Sequence, residues 1–312
     1  MRIDMLAHDN PRTQGAALRA QYRRISPEHL RESTALVESA LTARDPAAPK
    51  HALVLGAGAC TEIPLYRVAR VCDAVTLVDL DAPGMERARD ELPASRRPRL
   101  HVLVADLTGG VSSALAALLR AQPWDDLVRL APSAPLDAAA ICLDRCPVPD
   151  PLDALGLTPH GYGLVVSSLV LTPLFSLPLL DVLDTLLLHA PAAADLRDDY
   201  LPYRDAASRF RRRVALAHLD LVAALLAPGG AAVLSTDVAG HLLPPTAGPH
   251  ASDPPESLPI LPPDVLDLDA DVRARFHIVG SVRHWQWLVT PPTAMAPGRR
   301  FDVVGLLLGR RT

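Results

Sequence analysis

Residues 53–60 read LVLGAGAC, a short apolar run followed directly by Gly56, Ala57 and Gly58. Apolar runs of this length, which here starts at His51, are typical of buried strands. Glycines at the end of a strand allow a sharp turn, and they let the backbone approach a ligand with no Cβ in the way. A lone GxG is also typical of an ordinary strand–helix turn, so its meaning depends on its surroundings.

Two further strand–helix units follow this stretch. AVTLVDLD (residues 74–81) and LHVLVADL (residues 100–107) predict strands. Helical spacing follows all three apolar runs, at about residues 61–71, 83–92 and 109–122. Because parallel strands need crossover connections, the three units predict an α/β fold with a parallel sheet and helices on both faces.

The rest of the chain supplies more strands, separated by irregular stretches. Strands are predicted at GYGLVVSSLVL (161–171), AAVLSTDV (231–238), HWQWLVT (284–290) and FDVVGLLLG (301–309), and the last two form a terminal antiparallel pair. Helices are predicted at about 176–189 and 205–227. Stretches near 122–160 and 190–204 are predicted as insertions without regular structure. We divide the chain into a helical N-terminal extension (1–48) and one α/β domain (49–312).

The composition excludes several classes of protein. The chain has 312 residues, 49% apolar and 21% charged, as in ordinary globular proteins. Its net charge of −4 provides no general attraction for nucleic acid or anionic lipid. The first ten residues lack a secretory signal, so the four cysteines are expected to be reduced thiols of a cytoplasmic protein. The apolar stretch at residues 164–180 contains no charged residue but is short for a bilayer span, so no membrane segment is predicted. The histidines lack zinc-site spacing, so no metal is predicted.

The predicted strand ends indicate a nucleotide-like ligand. Asp79 ends the second strand, where a carboxylate can accept hydrogen bonds from both ribose hydroxyls. Asp106 ends the third strand, where it can meet an adenine amino group. The dinucleotide fingerprint needs a small residue where this chain has Thr61, which disfavours NAD and FAD. The phosphate-loop pattern is absent, and Lys50 is the only lysine, which disfavours ATP hydrolysis.

With these segments in place, the chain resembles the class I S-adenosylmethionine-dependent methyltransferases over about residues 50–240. The matching segments are LVLGAGAC, VTLVDLDAPGMERAR, HVLVADLTG, YGLVVSSLVL and LVAALLAPGGAAVLSTD. The resemblance implies a Rossmann-like, seven-stranded, mostly parallel sheet with a terminal antiparallel strand pair. It also implies S-adenosylmethionine as the cofactor.

The resemblance also implies roles for individual residues. Gly56, Ala57 and Gly58 would form the cofactor loop, and Asp79 would hold the ribose with Leu80 against the adenine. Asp106 and Leu107 would cap the adenine, and Ser167 and Ser168 would lie at the mouth of the methyl-transfer cleft. The N-terminal extension would fold over the cofactor as a lid. The chain departs from the family pattern at Val54, Cys60 and Gly163.

We therefore expect methyl transfer to a small-molecule or peptide-like acceptor. The alternatives are a nucleotide-dependent oxidoreductase on a related sheet and a non-catalytic methyltransferase-like binding or scaffold protein. Aromatic residues make up only 4% of the chain and do not alternate with basic ones, which makes nucleic acid an improbable acceptor. The sequence assigns no catalytic residue and no oligomeric state.

Several other residues allow two interpretations. His160 is either a base near the acceptor or a solvated loop residue. Tyr200 and Tyr203 either line the acceptor pocket or anchor a loop. The arginines at 209 and 211–213 either bind an anionic acceptor group or form a solvated face. Cys142 and Cys146 are expected to be loop or core thiols, and Trp285 and Trp287 to face one side of a strand.

Overall fold

The fold was analysed in a computed structural model, which describes residues 22–247 and 252–311. Most of the first half of the predicted N-terminal extension, residues 1–21, therefore lies outside the described residues. The helices are α1 (Pro27–Ala43), α2 (Leu65–Val71), α3 (Ala82–Asp90), α4 (Val111–Arg120), α5 (Trp124–Leu130), α6 (Ala134–Arg145), α7 (Pro151–Leu155), α8 (Leu171–His189), α9 (Pro191–Leu196), α10 (Leu201–Leu225) and α11 (Ala270–Arg273). The strands are β1 (His51–Leu55), β2 (Ala74–Asp79), β3 (Leu100–Val104), β4 (Tyr162–Ser168), β5 (Leu226–Leu243), β6 (Glu256–Pro259), β7 (Phe276–Ile278), β8 (Arg283–Thr290) and β9 (Gly298–Arg310).

All nine of these strands belong to one mostly parallel sheet. Its order is β3-β2-β1-β4-β5-β9-β7, with β6 on β5 and β8 on β9. Strands β1 to β5 are parallel, and β9 runs antiparallel to β5. The predicted terminal pair is confirmed, because β8 and β9 are antiparallel neighbours.

The strand count differs from the expected seven, and the long strands explain why. Strand β5 has 18 residues and extends beyond β4, so its free edge at Ala239–Leu242 pairs with β6. Strand β9 pairs along one edge with both β7 and β8. These two short strands are separated near Gly280, whose φ of +73° ends regular pairing.

The two predicted insertions contain helices, so the prediction of irregular structure there was wrong. Residues 122–160 form α5, α6 and α7, and residues 190–204 contain α9 and the start of α10. Pro135, Pro151, Pro191 and Pro202 all lie in the first turn of a helix. Proline is tolerated there because the first backbone N–H groups have no partner within the helix. In these two stretches, these four prolines therefore mark the starts of helices.

The sheet is covered on both faces. Alternate residues of β1 point to opposite sides: Leu53 and Leu55 pack with α4, α6, α8 and α10, whereas Val54 packs with α1, α2 and α3. Helix α1 buries Leu36, Val37 and Ala40 in this second layer, against apolar side chains of β4 and β5. Helix α1, which the sequence places in the N-terminal extension, is thus part of the packed core.

Helix α8 is long and apolar enough to cross a membrane, alone among the helices of residues 22–247 and 252–311. Its most apolar window is 56% buried inside the protein. Phe175, Val182 and Leu186 belong to the core cluster on its side of the sheet. These contacts are typical of a core helix.

Candidate functional site

The carboxyl ends of β1, β2 and β3 lie side by side. In the register of the sheet, Leu55 is opposite Val78, and Asp79 is opposite Val104. The glycine loop after β1, the Asp79 turn and the Asp106 turn therefore meet at one edge of the sheet. Ligands of open α/β sheets bind at this kind of edge.

Gly56 and Gly58 of the loop require glycine for different structural reasons. Both Gly56 and Gly58 have positive φ, +67° and +45°, which glycine adopts readily. A Cβ on Gly56 would lie 2.4 Å from Cγ2 of Val170, so this position also has no room for a side chain. A Cβ on Gly58 would meet only Asp79 Oδ2, at 3.9 Å, so the space above Gly58 is open.

Asp79 ties the glycine loop to β2. The Gly58 N–H donates to Asp79 Oδ2 at 2.9 Å, and the Asp81 N–H donates to Oδ1 at 2.8 Å. A carboxylate has about four acceptor positions, so about two remain for a ligand. Beside it, the side chains of Leu80 and Val104 are 52% and 54% exposed. The edge thus offers hydrogen-bond acceptors next to two exposed apolar side chains.

Asp106 shapes the turn between β3 and α4. Its Oδ1 accepts hydrogen bonds from the N–H and the hydroxyl of Thr108, and its Oδ2 accepts one from the Gly110 N–H at 3.1 Å. About one acceptor position is left, on Oδ2. Leu107 is buried in the core, beneath the turn.

The end of β4 is arranged differently from the expectation. The Ser167 side chain has 0% exposure, and its hydroxyl bonds His218 Nε2 of α10 at 2.8 Å, instead of lining a cleft mouth. Burial lowers the pKa of His218 to about 4, so this imidazole is neutral at pH 7. Ser168, one residue later, bonds the Ser235 hydroxyl of β5 at 2.9 Å. Any ligand at this end of β4 would meet Ser168 and Leu169 before Ser167.

No protein-family model matches the chain, and no curated protein matches it. The chain is similar in structure to the carbon methyltransferase CurJ, with 12% identity and a TM-score of 0.43, over 95% of this chain and 59% of that one. It thus spans about three fifths of the CurJ chain. It is also similar to CrArsM, an arsenic(III) S-adenosylmethionine methyltransferase from Chlamydomonas reinhardtii, with 14% identity and a TM-score of 0.35, over 86% of this chain and 72% of that one. A third similar structure is a protein named as a methyltransferase in complex with the Haloferax volcanii Trm112 methyltransferase activator, with 12% identity and a TM-score of 0.38, over 96% of this chain and 99% of that one.

The other residues considered from the sequence have structural partners. His160 lies at the amino end of β4, on the opposite edge from the glycine loop, with its Nδ1 3.3 Å from the Leu226 carbonyl. The Tyr200 hydroxyl donates to Asp137 at 2.6 Å, and the Tyr203 side chain is buried, which raises its pKa to about 12. The tyrosines therefore anchor α10, and His160 lies far from the glycine loop.

The basic run of α10 also holds helices together. Arg209 makes two hydrogen bonds to the Asp144 carboxylate, and Arg212 makes two to Asp271. Arg213 donates to the carbonyls of Leu143 and Cys146, at the end of α6. Cys142 and Cys146 are buried free thiols, and burial raises the pKa of both. Within residues 22–247 and 252–311, there is no group of three or more His, Cys, Asp or Glu side chains that could hold a metal ion.

Val104 was not among the predicted site residues, although the strand predicted at residues 100–107 places it beside Asp106. An aromatic cluster in which Tyr22 and His29 pack against the last two strands was not predicted either. Trp285 and Trp287 do face one side of β8 and pack against α1, as expected. No local pattern links residues so far apart in the chain, so only the folded structure brings them together.

Proposed function

We propose that the chain is an S-adenosylmethionine-dependent methyltransferase that binds its cofactor across the carboxyl ends of β1, β2 and β3. The observation that carries this proposal is the Asp79 carboxylate, which holds the glycine loop in place and keeps acceptor positions free beside exposed apolar side chains. The antiparallel β9 next to β5 also supports it, because a terminal antiparallel pair distinguishes methyltransferases from dinucleotide-binding relatives.

In this proposal each group at the edge has a specific task. The open backbone at Gly58 lies against the cofactor, with Gly56 and Ala57 forming the rest of the loop, and the free lone pairs of Asp79 accept hydrogen bonds from the ribose hydroxyls. Leu80 and Val104 cover the adenine, which removes their apolar surface from water. Asp106 fixes the turn and offers its remaining lone pair to the adenine amino group. Leu107 supports this turn from below, and Ser167 fixes the end of β4 through His218.

The N-terminal segment supports a lid over this site. Tyr22 packs edge-on against Trp287, and burial together with the charge of Glu62, from the loop that follows Gly58, raises the pKa of Tyr22. We propose that the segment ending in α1 closes over the cofactor, and that α5 to α7 border the acceptor site. Pro149 and Pro151 lie next to Gly109 in the Asp106 turn, which places the start of α7 at this edge.

The reaction requires positioning more than acid–base chemistry. The bound cofactor supplies a methyl group on a sulfonium sulfur: a lone pair of the acceptor atom forms the new bond to carbon while the carbon–sulfur bond breaks and its electron pair stays on sulfur. The protein's contribution is to align the two reactants and exclude water. We propose a small-molecule or peptide-like acceptor, because the net charge of −4 offers no attraction for nucleic acid.

Binding of S-adenosylhomocysteine, measured by calorimetry, tests the cofactor site, with NAD and NADP in parallel. The decisive variant is Leu80→Glu, which places a charge against the proposed adenine. Its matched control is Leu188→Glu near the carboxyl end of α8, where the native leucine is 76% exposed. We expect Leu80→Glu to weaken binding at least tenfold and Leu188→Glu to bind like the wild type.

Two outcomes would contradict the proposal. Binding of a nicotinamide dinucleotide in preference to S-adenosylhomocysteine would favour the oxidoreductase. No binding of any of these ligands by the folded wild type would favour a scaffold protein. A second variant, Asp79→Asn, loses the charged acceptor for the ribose, and its single oxygen can serve only one of the Gly58 and Asp81 N–H groups. It should weaken binding and also lower thermal stability, so Leu80→Glu remains the decisive variant.

A further inference from the structure

An aromatic cluster joins the start of the described chain to the last two strands. We define it as Tyr22, His29, Trp285, Trp287 and Phe301. The His29 ring stacks on Trp287 with centroids 4.8 Å apart, and Tyr22 meets Trp287 edge-on at 5.8 Å. Phe301 packs on the Trp287 ring at 5.6 Å. Contacts of this kind hold aromatic rings in specific orientations.

One hydrogen bond in the aromatic cluster fixes the proton on His29. The Trp285 Nε1–H donates to His29 Nδ1 at 2.9 Å, and an indole nitrogen can only donate. Nδ1 therefore carries no proton. Burial lowers the pKa of His29 to about 3, so the ring is neutral at pH 7 and its single proton lies on Nε2.

Two donors of the aromatic cluster have no acceptor within residues 22–247 and 252–311. His29 Nε2–H and Trp287 Nε1–H are both buried, and neither has a hydrogen-bond partner in the described part of the chain. A buried donor without a partner costs about 1–3 kcal/mol, and native proteins keep such groups few. Because the two rings are stacked, both unsatisfied donors belong to one small region.

The aromatic cluster lies where the methyl acceptor should approach. Leu169, the first residue after β4, packs against it with a φ of +55°, a conformation that leucine rarely adopts. Ile260 of the same apolar cluster bonds the Val238 carbonyl, just beyond the part of β5 that pairs with β4. Val170, the residue after Leu169, packs directly against Gly56 of the glycine loop. The aromatic cluster therefore lies between the glycine loop and the ends of β4 and β5.

We propose that the aromatic cluster is the acceptor-binding site, and that it takes a planar aromatic molecule whose carbonyl oxygen accepts hydrogen bonds from Trp287 Nε1–H and His29 Nε2–H. This inference rests on the proposed methyltransferase function, because it places the acceptor relative to the cofactor loop. The rings of the cluster provide stacking surfaces for the acceptor, and both donors are uncharged.

The acceptor reaches these donors through a movement of Tyr22. Both N–H groups are buried, so the ligand must displace part of the aromatic cluster. Tyr22 precedes α1 and contacts Trp287 edge-on, so Tyr22 is the ring that we expect to move aside. An aromatic ligand then restores the ring contact that Tyr22 gives up.

The test uses the indole N–H signals of the full chain in a ¹⁵N–¹H spectrum, with S-adenosylhomocysteine present. The chain has three tryptophans, and two of their N–H groups already have partners: Trp124 donates to the Leu119 carbonyl and Trp285 to His29. The probe is 4-hydroxyacetophenone, and the matched control is 4-ethylphenol, which has the same phenol ring but no carbonyl. We expect 4-hydroxyacetophenone to move the Trp287 signal downfield with saturation, and to bind at least tenfold more tightly than 4-ethylphenol.

The variant Trp287→Phe keeps an aromatic ring and removes the N–H, so it should abolish the preference for the carbonyl probe. Equal binding of the two probes, no saturable shift of Trp287, or a preference that survives in Trp287→Phe would overturn the inference. Calorimetry with S-adenosylhomocysteine is read separately. If S-adenosylhomocysteine binds and 4-hydroxyacetophenone does not, only the aromatic site is refuted. If 4-hydroxyacetophenone binds selectively and S-adenosylhomocysteine does not bind, the proposed function is refuted, and the aromatic cluster remains a binding site.

Discussion

Trp285 and Trp287 provide a direct test of the hydrogen bonding in the aromatic cluster. Both indoles are buried on the same face of β8, two residues apart. Trp285 makes its hydrogen bond to His29, whereas the Trp287 N–H has no acceptor in the described chain. Replacing each by phenylalanine removes a similar part of a buried ring. Only Trp285→Phe breaks an existing hydrogen bond.

The expected difference in stability between the two variants follows from the hydrogen bonding of His29. Trp285→Phe leaves a buried acceptor, His29 Nδ1, without its donor, which costs about 1–3 kcal/mol. Trp287→Phe instead removes an unsatisfied buried donor, which offsets part of the lost packing. At about 2.1 cal/mol/K per residue, a protein of this length shifts by about 1.5 °C per kcal/mol. We therefore expect Trp285→Phe to melt about 2–5 °C below Trp287→Phe.

A double-mutant cycle separates the hydrogen bond from packing. The Trp285 ring also packs tightly against Gly305, so the single variant loses this contact as well. His29→Phe retains a ring that stacks on Trp287 but has no nitrogen acceptor. The coupling energy between positions 29 and 285 should be about 1–3 kcal/mol, above that between positions 29 and 287. Equal coupling in the two cycles would refute the assigned proton position on His29.

Three further predictions concern stability. Burial lowers the pKa of His29 to about 3 and of His218 to about 4, so the folded state binds fewer protons than the unfolded state below pH 6.5. The free energy of unfolding should therefore be highest above pH 6.5 and fall by about 1.4 kcal/mol per pH unit for each histidine as the pH drops towards 4. Urea unfolding measures this, and a constant free energy of unfolding from pH 7 to 5 would contradict it. Gly56→Ala should lower the melting temperature more than Gly156→Ala, because both glycines have similar positive φ but only Gly56 lies against a side chain, Val170. Equal losses would mean that the positive φ alone sets the cost and that the contact with Val170 adds nothing. Arg212→Gln should lower the free energy of unfolding by about 1 kcal/mol, because it breaks two hydrogen bonds to Asp271. Arg31→Gln, which breaks an exposed ion pair with Glu28, should cost less. Calorimetric unfolding compares the two variants, and a larger loss in Arg31→Gln would contradict this prediction.

The parallel half of the fold could be predicted because its information is local. Each of β1, β2 and β3 is a short, mostly apolar run that ends at or near a glycine or aspartate, and β1, in the middle of the sheet, is buried along its last four residues. The positive φ of Gly56 and Gly58 follows from the same local pattern. Helix α8 was predicted to begin at residue 176 because Pro173 looks like a break. It begins at Leu171 instead, since a proline in the first turn is tolerated.

Side-chain partners at the site could not be predicted in this way. The sequence shows that Ser167 ends a strand, but not that its hydroxyl forms a hydrogen bond with His218, 51 residues later. It also shows Asp106 after β3, but the three bonds that this carboxylate makes within its own turn depend on the backbone conformation of the turn. A residue's type and position thus predict which edge it reaches. Whether its polar atoms are still free for a ligand depends on the folded backbone.

This distinction separates the two sides of the proposed cleft. The cofactor side is built from three consecutive strand ends, so a short stretch of sequence contains nearly all of it. The acceptor side combines Tyr22 and His29 with Trp285, Trp287 and Phe301, from the two ends of the described chain. These contacts arise only because β9 inserts beside β5 and carries β8 against α1. In this proposal the rings and donors that hold the acceptor come from the two ends of the described chain, so they can change by substitution while the cofactor loop stays the same.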